Sequence, residues 1–385
     1  MIPYGKQEIN QQDIDAVIKV LQSDFLTQGP QVVLFEQALS IRCNAQYSVA
    51  VNSATSALHI ACLALGVGKG DIVWTTPNTF VASANCALYC GASIDFVDID
   101  ADTYNLCPIQ LEQKLIKAKK DNCLPKVVIP VHLAGQSCAM QEIHQLSLEY
   151  GFSIIEDASH AIGGYYRNQP IGNCLYSDIT VFSFHPVKII TTAEGGVATT
   201  NNPTLASKMN LFRSHGITRD EKLMTEPSHG AWYYQQIDLG FNYRMTDLQA
   251  ALGISQLQRL DEFVARRQQR AEYYNKALAD LPLFLPKQLT ETKSSWHLYI
   301  IQLDLHKIAS SHQQIFNALR EAGIGVNLHY IPVHMQPYYQ ALGFHLGNFP
   351  NSESYYSQAI SIPLYPMLSQ VEQNHIIDTL KKVLL

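Results

Sequence analysis

Ile179-Thr-Val-Phe-Ser-Phe-His-Pro-Val-Lys188 is apolar and β-branched at its start and polar at its end. It reads as a buried strand running out into a loop where a lysine follows a proline. Working outward, the same kind of run recurs: Ser48-Val-Ala-Val51, Ile72-Val-Trp-Thr-Thr76, Ile94-Asp-Phe-Val-Asp98, Val127-Val-Ile-Pro-Val131 and Phe152-Ser-Ile-Ile-Glu156. Helical segments separate them, at about 55–65, 79–89 and 110–119. Strands alternating with helices, several of them apolar throughout, predict an α/β fold with a mainly parallel central sheet sandwiched by helices. Ligands of such sheets lie beyond the carboxyl ends of the strands.

After Arg244 the texture changes. Thr246-Asp-Leu-Gln249 fits a capping box and opens a helical stretch towards Leu278, broken at Leu281-Pro282. A strand at 297–303, a helix at about 311–322, a strand near 326–330 and a last helix from about Gln370 follow. The expected division is a large domain, residues 1–255, and a smaller C-terminal α+β domain, residues 256–385.

The 385 residues are enough for a substantial core. A net charge of −6 without a basic block argues against nucleic acid or a membrane surface as partner. The start, Met1-Ile-Pro-Tyr-Gly-Lys6, lacks the apolar stretch of a signal peptide, and no run approaches a membrane span, so the cytoplasm is the expected location. The eight cysteines form no C-x-x-C pair, and Cys86 and Cys90, spaced i, i+4, read as helix packing. No metal is expected: His329 and His334 are too few and have no acidic cluster beside them. Gly66-Val-Gly-Lys-Gly70 precedes a strand, the wrong order for a nucleotide loop, and reads as a turn.

Four features stand at or just past strand ends, and each has an ordinary structural reading. Asn52-Ser-Ala-Thr-Ser56 is a small-residue helix start, either a cap or a phosphate site. Asp157, after Glu156, either caps the next helix or holds a ring nitrogen protonated. Lys188 is a solvated loop residue unless its neighbours Ser183 and Thr191-Thr-Ala-Glu-Gly-Gly196 make it part of a site. The double glycine permits close backbone approach, to a ligand or to a strand. The fourth feature is Gly240-Phe-Asn-Tyr-Arg244, a polar loop before the long helix. Their joint order is far more specific than any one alone.

In that order the chain resembles the DegT/DnrJ/EryC1/StrS sugar aminotransferases, fold-type I pyridoxal-phosphate enzymes, over nearly its whole length. Ser23-x-x-Leu-Thr-Gln-Gly29 and Arg213-Ser-His-Gly216 match as well. The resemblance implies pyridoxal 5′-phosphate as cofactor and Lys188 as the catalytic lysine that holds it covalently. Asp157 would bind the ring nitrogen, His160 would lie near the 3′-oxygen, and Phe80 would cover a ring face. Ala54, Thr55 and Ser183 would hold the phosphate, helped by Asn242 from the second subunit of a homodimer with shared sites. Tyr4, Leu26, Thr27, His329 and Tyr330 align with segments facing the sugar nucleotide.

Ser183–Lys188 with Thr191–Gly196 is similar to the branch that aminates C4 of UDP-sugars. That branch implies L-glutamate as donor and a UDP-linked 4-keto-6-deoxy-N-acetylhexosamine as acceptor, on the pseudaminic acid pathway. The alternatives are another nucleotide keto sugar (TDP-linked, or aminated at C3) and a non-catalytic sugar-nucleotide binding protein. Relatives that dehydrate sugars replace the lysine by histidine, and Lys188 is present here. Arg213, Arg219 and Arg244 stand as equal candidates for the donor's carboxylate clamp.

Overall fold

The computed structural model describes all 385 residues. Its central sheet has seven strands: β1 Tyr47–Val51, β2 Ile72–Thr75, β3 Ser93–Phe96, β4 Val127–Ile129, β5 Ser153–Asp157, β6 Ile179–Ser183 and β7 Gly196–Thr200. Their spatial order is β1-β7-β6-β5-β4-β2-β3. β3, β2, β4, β5 and β6 pair in parallel, and β7 runs antiparallel to both β6 and β1. Six strands therefore point their carboxyl ends the same way, and one edge of the sheet collects them. The α/β fold expected from the alternation is the one observed.

Period-two alternation explains why these strands are apolar throughout. Val49, Val51, Val73, Val127, Ile129, Ile155, Ile179, Val181 and Ala198 face one layer of helices. That layer includes α3 (Ala54–Ala64), α4 (Ala82–Tyr89) and α7 (Pro203–Arg213), with α1 Gln11–Leu21, α2 Pro30–Cys43, α5 Pro108–Lys120 and α6 Met140–Tyr150 completing the set to that point. Ala50, Phe182 and Val197 face the opposite layer with Phe35 and Leu39 of α2, and Trp74, Val128 and Ile154 face it with Leu111, Leu115 and Ile143. A fully buried residue of this size contributes about 1.5–3 kcal/mol, so a one-residue register slip would exchange one buried face for the other without finding water. Paired ladders on both sides fix the register instead.

Thr246 and Gln249 form the expected capping box: Thr246 N–H donates to Gln249 Oε1 at 2.9 Å and Gln249 N–H to Thr246 Oγ1 at 3.3 Å. The helical stretch it opens is two helices, α8 Asp247–Leu257 and α9 Leu260–Ala277. Periodicity alone did not reveal the break at Gln258-Arg259. Beyond it, Leu283–Phe284, Tyr299–Leu303 and Ala359–Ile362 form an antiparallel three-stranded sheet with its own core. The strand expected near 326–330 is irregular chain whose one ladder contact with that sheet is the bridge Asn327–Ser361. Its departure from the sheet carries it towards the large sheet's carboxyl edge.

Candidate active site

A cavity of about 520 Å³ opens at that edge, within the usual size of a small-molecule site. Ala54 and Thr55 enter it as the first residues of α3, whose cap Ser53 Oγ accepts the Ser56 N–H at 3.1 Å. First-turn amides have no partner inside their own helix, and the dipole behind them favours an anion. The hydroxyls of Thr55 and Ser183, also on the cavity, make no hydrogen bond within the chain. Gly196, paired with both Ser183 and Val51, explains the double glycine: a Cβ there would lie 2.5 Å from the Ala54 amide nitrogen. The close approach is to the helix start, not to a neighbouring strand.

The pleat separates the adjacent acids of β5. Glu156 turns away from the cavity and is satisfied by His132 Nε2 at 2.7 Å and by the Ser177 and Thr180 hydroxyls. Asp157 turns into it. Its Oδ2 accepts from Ser83 Oγ at 2.6 Å, and Ser83 in turn meets Thr79 Oγ1 at 2.8 Å. Oδ1 accepts the Ser159 N–H at 3.1 Å. No helix starts after Asp157, so the helix-cap reading fails. Ser83 was not singled out from sequence, because a serine inside a helix carries no signal of its own.

Lys188 lies in the loop after β6, which is closed by Phe184 N–H to Gly195 O at 2.9 Å and Thr192 N–H to Phe184 O at 3.0 Å. Burial pushes its ammonium down to about 8, against the pull of the Asp157 carboxylate. A lysine amine that is partly unprotonated near neutral pH can act as a nucleophile and as a base.

His160 accepts the Ala134 N–H at Nδ1, 3.3 Å away, and its Nε2 lies 3.1 Å from Tyr330 Oη. Burial, with Lys188 and His329 nearby, holds its pKa well below the ordinary imidazole value. A neutral ring that accepts at Nδ1 carries its hydrogen on Nε2, so His160 donates to Tyr330. The phenolic hydrogen is left for a ligand. His329 is held to about 3 by burial and Lys188, with Nδ1 2.9 Å from Ser361 Oγ. Its ring lies 5.2 Å from that of Tyr4, whose carbonyl is anchored by the Leu364 N–H. His297 also lines the cavity, 4.4 Å between centroids from His160, and its buried Nδ1 has no partner. It was missed because it lies in a bend just before a strand far along the chain, with no local motif around it.

Phe80 stands at the cavity wall, 58% exposed, a large apolar ring with a face free for a planar ligand. Three expected residues do not reach this cavity. Leu26 and Thr27 are exposed beside α8, where Leu26 O accepts the Asp247 N–H and Thr27 bridges Thr246. Asn242 is also exposed, pointing out of its own chain. Of the three arginines, Arg213 is already occupied: its guanidinium holds Glu36 Oε1 at 2.6 Å and Ala50 O at 2.8 Å.

A lysine of lowered pKa, a strand-end carboxylate and a free-donor helix start around one cavity define a pyridoxal-phosphate transferase of the aminotransferase class. These groups fit that cofactor's aldehyde, ring nitrogen and anionic phosphate in turn. The family profile of the DegT/DnrJ/EryC1/StrS aminotransferases matches residues 7–381. The chain belongs to that family and is an aminotransferase with pyridoxal phosphate as cofactor. A Campylobacter jejuni relative named UDP-4-amino-4,6-dideoxy-N-acetyl-β-L-altrosamine transaminase is 39% identical, covering 100% of this chain and 98% of its own. The Bacillus subtilis spore coat polysaccharide biosynthesis protein SpsC is 37% identical over 99% of this chain and 97% of its own. Helicobacter pylori PseC, an aminotransferase of pseudaminic acid biosynthesis, superposes with a TM-score of 0.91 at 32% identity, covering 100% of this chain and 99% of that one. No helix is long and apolar enough to cross a membrane.

Proposed function

We propose that the enzyme moves the amino group of L-glutamate to C4 of UDP-2-acetamido-2,6-dideoxy-β-L-arabino-hexos-4-ulose, a step of pseudaminic acid synthesis in the cytoplasm. The observation that carries the substrate is the end-to-end similarity to two Campylobacter jejuni relatives, 39% and 38% identical, that bear the transaminase name. Pyridoxal phosphate supplies an electron sink when bound. Asp157 holds positive charge at the ring nitrogen. Ala54, Thr55 and Ser183 take the phosphate, with Asn242 contributed by the neighbouring subunit of a homodimer. Lys188 would carry the cofactor and, once displaced by the donor's amine, would shuttle the proton between the substrate carbon and the cofactor carbon. His160 stays neutral and orients Tyr330, while Phe80 covers the ring. Tyr4, His329 and Tyr330 face the sugar, and Leu26 and Thr27 serve it from the subunit boundary. This reading divides the chain into a cofactor-binding part, residues 1–255, and a smaller part, residues 256–385, that supplies His329 and Tyr330.

The test is kcat/KM with glutamate across UDP and TDP sugars carrying the ketone at C3 or C4. The UDP 4-keto compound is expected to win clearly, because a mismatched isomer leaves buried polar groups unpaired. Preference for a TDP 3-keto sugar would overturn the substrate and leave the aminotransferase standing.

A further inference from the structure

We infer that Cys62 and Cys90 form a site of reversible oxidation, closing to a disulfide when a hydroperoxide takes two electrons from the pair, and that the bond slows the enzyme. The first support is a cluster of side chains that lies outside the cavity. α3 brings His59 and Cys62, three residues apart and so on one face, against α4, which brings Cys86 and Cys90. The Cys62 thiol meets those of both Cys86 and Cys90, and His59 flanks Cys90. The His59 ring also lies 5.4 Å from that of Tyr89 on α4. The i, i+4 spacing of Cys86 and Cys90 packs the helix, as expected, but it also turns two thiols towards a third.

The second support is that the three thiols are unlike. Cys62 and Cys86 are buried, and the Cys86 S–H donates to the Ser83 carbonyl at 3.3 Å. Cys90 ends α4 and is only partly buried, so a small oxidant reaches it. The Cys62 S–H holds the Cys90 thiol low, at about 6, and His59 acts the same way, against the opposing effect of burial. Cys62 keeps its proton, because Cys86 and Cys90 beside it push it well above the ordinary thiol value. Cys90 is therefore the thiolate that attacks, and Cys62 the thiol that resolves. Cys43 and Cys174 are neighbours too, but burial pushes them up to about 12 and about 11 and leaves them inert.

The chemistry needs only the peroxide. The Cys90 thiolate attacks one oxygen of hydrogen peroxide, the O–O bond breaks, and hydroxide leaves from a Cys90 sulfenic acid. The Cys62 sulfur then displaces the sulfenic hydroxyl, which takes the Cys62 proton and departs as water. Two cysteines are oxidised and one peroxide is reduced. The bond acts on the rate because both helices serve the cofactor site elsewhere along their length. α3 starts at Ala54 and Thr55, and α4 carries Ser83, two turns before Cys90, whose hydroxyl donates to Asp157 Oδ2 at 2.6 Å. A covalent bond is shorter than the contact it replaces, so α4 is drawn towards α3 and Ser83 is displaced with it. The effect on rate rests on the role proposed for Asp157, whereas the bond itself does not.

The test treats the holoenzyme with hydrogen peroxide, maps disulfides in unreduced peptides and follows the half-reaction with glutamate by cofactor absorbance. Wild type should yield a Cys62–Cys90 cross-linked peptide and react roughly twofold to tenfold more slowly, both reversed by dithiothreitol. Cys90→Ser should remove the cross-link and the reversible loss while keeping the untreated rate. Cys62→Ala should also remove the cross-link, and its Cys90 should then be captured by dimedone as the sulfenic acid. Three results overturn the inference: Cys62 and Cys90 both staying free while other residues oxidise, a cross-link between any other pair, or dimedone on another cysteine in place of Cys90. A Cys62–Cys90 bond that leaves the rate unchanged overturns the effect on rate, and Asp157→Asn then locates the fault. If that variant is slow, Ser83 is not displaced; if it reacts at the wild-type rate, the role given to Asp157 is wrong.

Discussion

The two walls of the cavity are held by different means. On one side Asp157, Ser183 and the Ala54 amide sit at the ends of paired strands or the start of a capped helix, so ladder hydrogen bonds set their positions. On the other side Asn327–Tyr330 lies in no strand. It is held by one bridge to Ser361 and by side-chain bonds: His329 to Ser361, Tyr330 to His160, and the Tyr355 hydroxyl to the His329 carbonyl. A ladder cannot shift by one residue without exchanging the faces of every strand. A side-chain network can be rewired by single substitutions. On the proposed assignment the first wall takes the cofactor and is built to stay the same, while the second takes the sugar and is free to vary, and substitutions on the two should leave different kinetic traces.

The largest effect belongs to Lys188. Lys188→Ala should lower transamination by at least about ten-thousand-fold, because it removes both the covalent tether and the base. The folded protein should still take up cofactor through the phosphate donors, without the visible band that borohydride bleaches. The wild-type apoprotein adds a pH test. With the amine pKa lowered to about 8, below the ordinary 10.5, the reactive neutral form gains tenfold per unit up to that point and then levels. The rate of covalent cofactor attachment should therefore climb with pH and flatten near 8. A climb continuing beyond 10 would show that Lys188 is not buried as described.

Asp157→Asn should come next, with kcat reduced about a hundredfold to a thousandfold and KM for the sugar nucleotide little changed. An amide cannot stabilise a protonated ring nitrogen as a carboxylate does. The loss should be equal for every keto sugar tried, since this wall does not read the sugar. A loss that depends on the sugar would break the distinction between the walls.

The same contrast decides what the sequence reveals. Asp157, Ser183, Lys188 and the Ala54–Thr55 turn each stand at the end of an apolar run or within four residues of it, so pattern and position announce them together. The seven-strand sheet was legible for the same reason, apart from β7, whose Gly-Val-Ala-Thr-Thr is weakly apolar. Ser83, His297 and Asn327 reach the cavity, directly or through Asp157, by tertiary folding from unrelated segments, and nothing local marks them. Arg213 shows the reverse failure. It sits in a motif that reads as functional, yet Glu36, brought close only by the packing of α2, consumes it.

The smallest effect is expected at Tyr330, and it probes the substrate's wall alone. The Ala134 N–H fixes His160 with its hydrogen on Nε2, so the Tyr330 oxygen accepts and its own hydrogen is free for a ligand. Burial, followed by the charge of Asp157 and the nearby Tyr4, raises the pKa of the phenol, so it stays a donor across the working range. Tyr330→Phe keeps the ring that lies 6.1 Å from Phe80 and deletes only the hydroxyl. One neutral hydrogen bond is worth about 0.5–1.5 kcal/mol, so KM for the sugar nucleotide should rise roughly twofold to tenfold. Cofactor affinity, read by titrating the apoprotein, should hold at its wild-type value, and so should the half-reaction with glutamate. Double substitution with His160→Gln should add little to the sugar KM, because the imidazole acts on the sugar through the phenol. If Tyr330→Phe instead weakened cofactor binding as much as sugar binding, the two walls would be one, and their different construction would carry no division of labour.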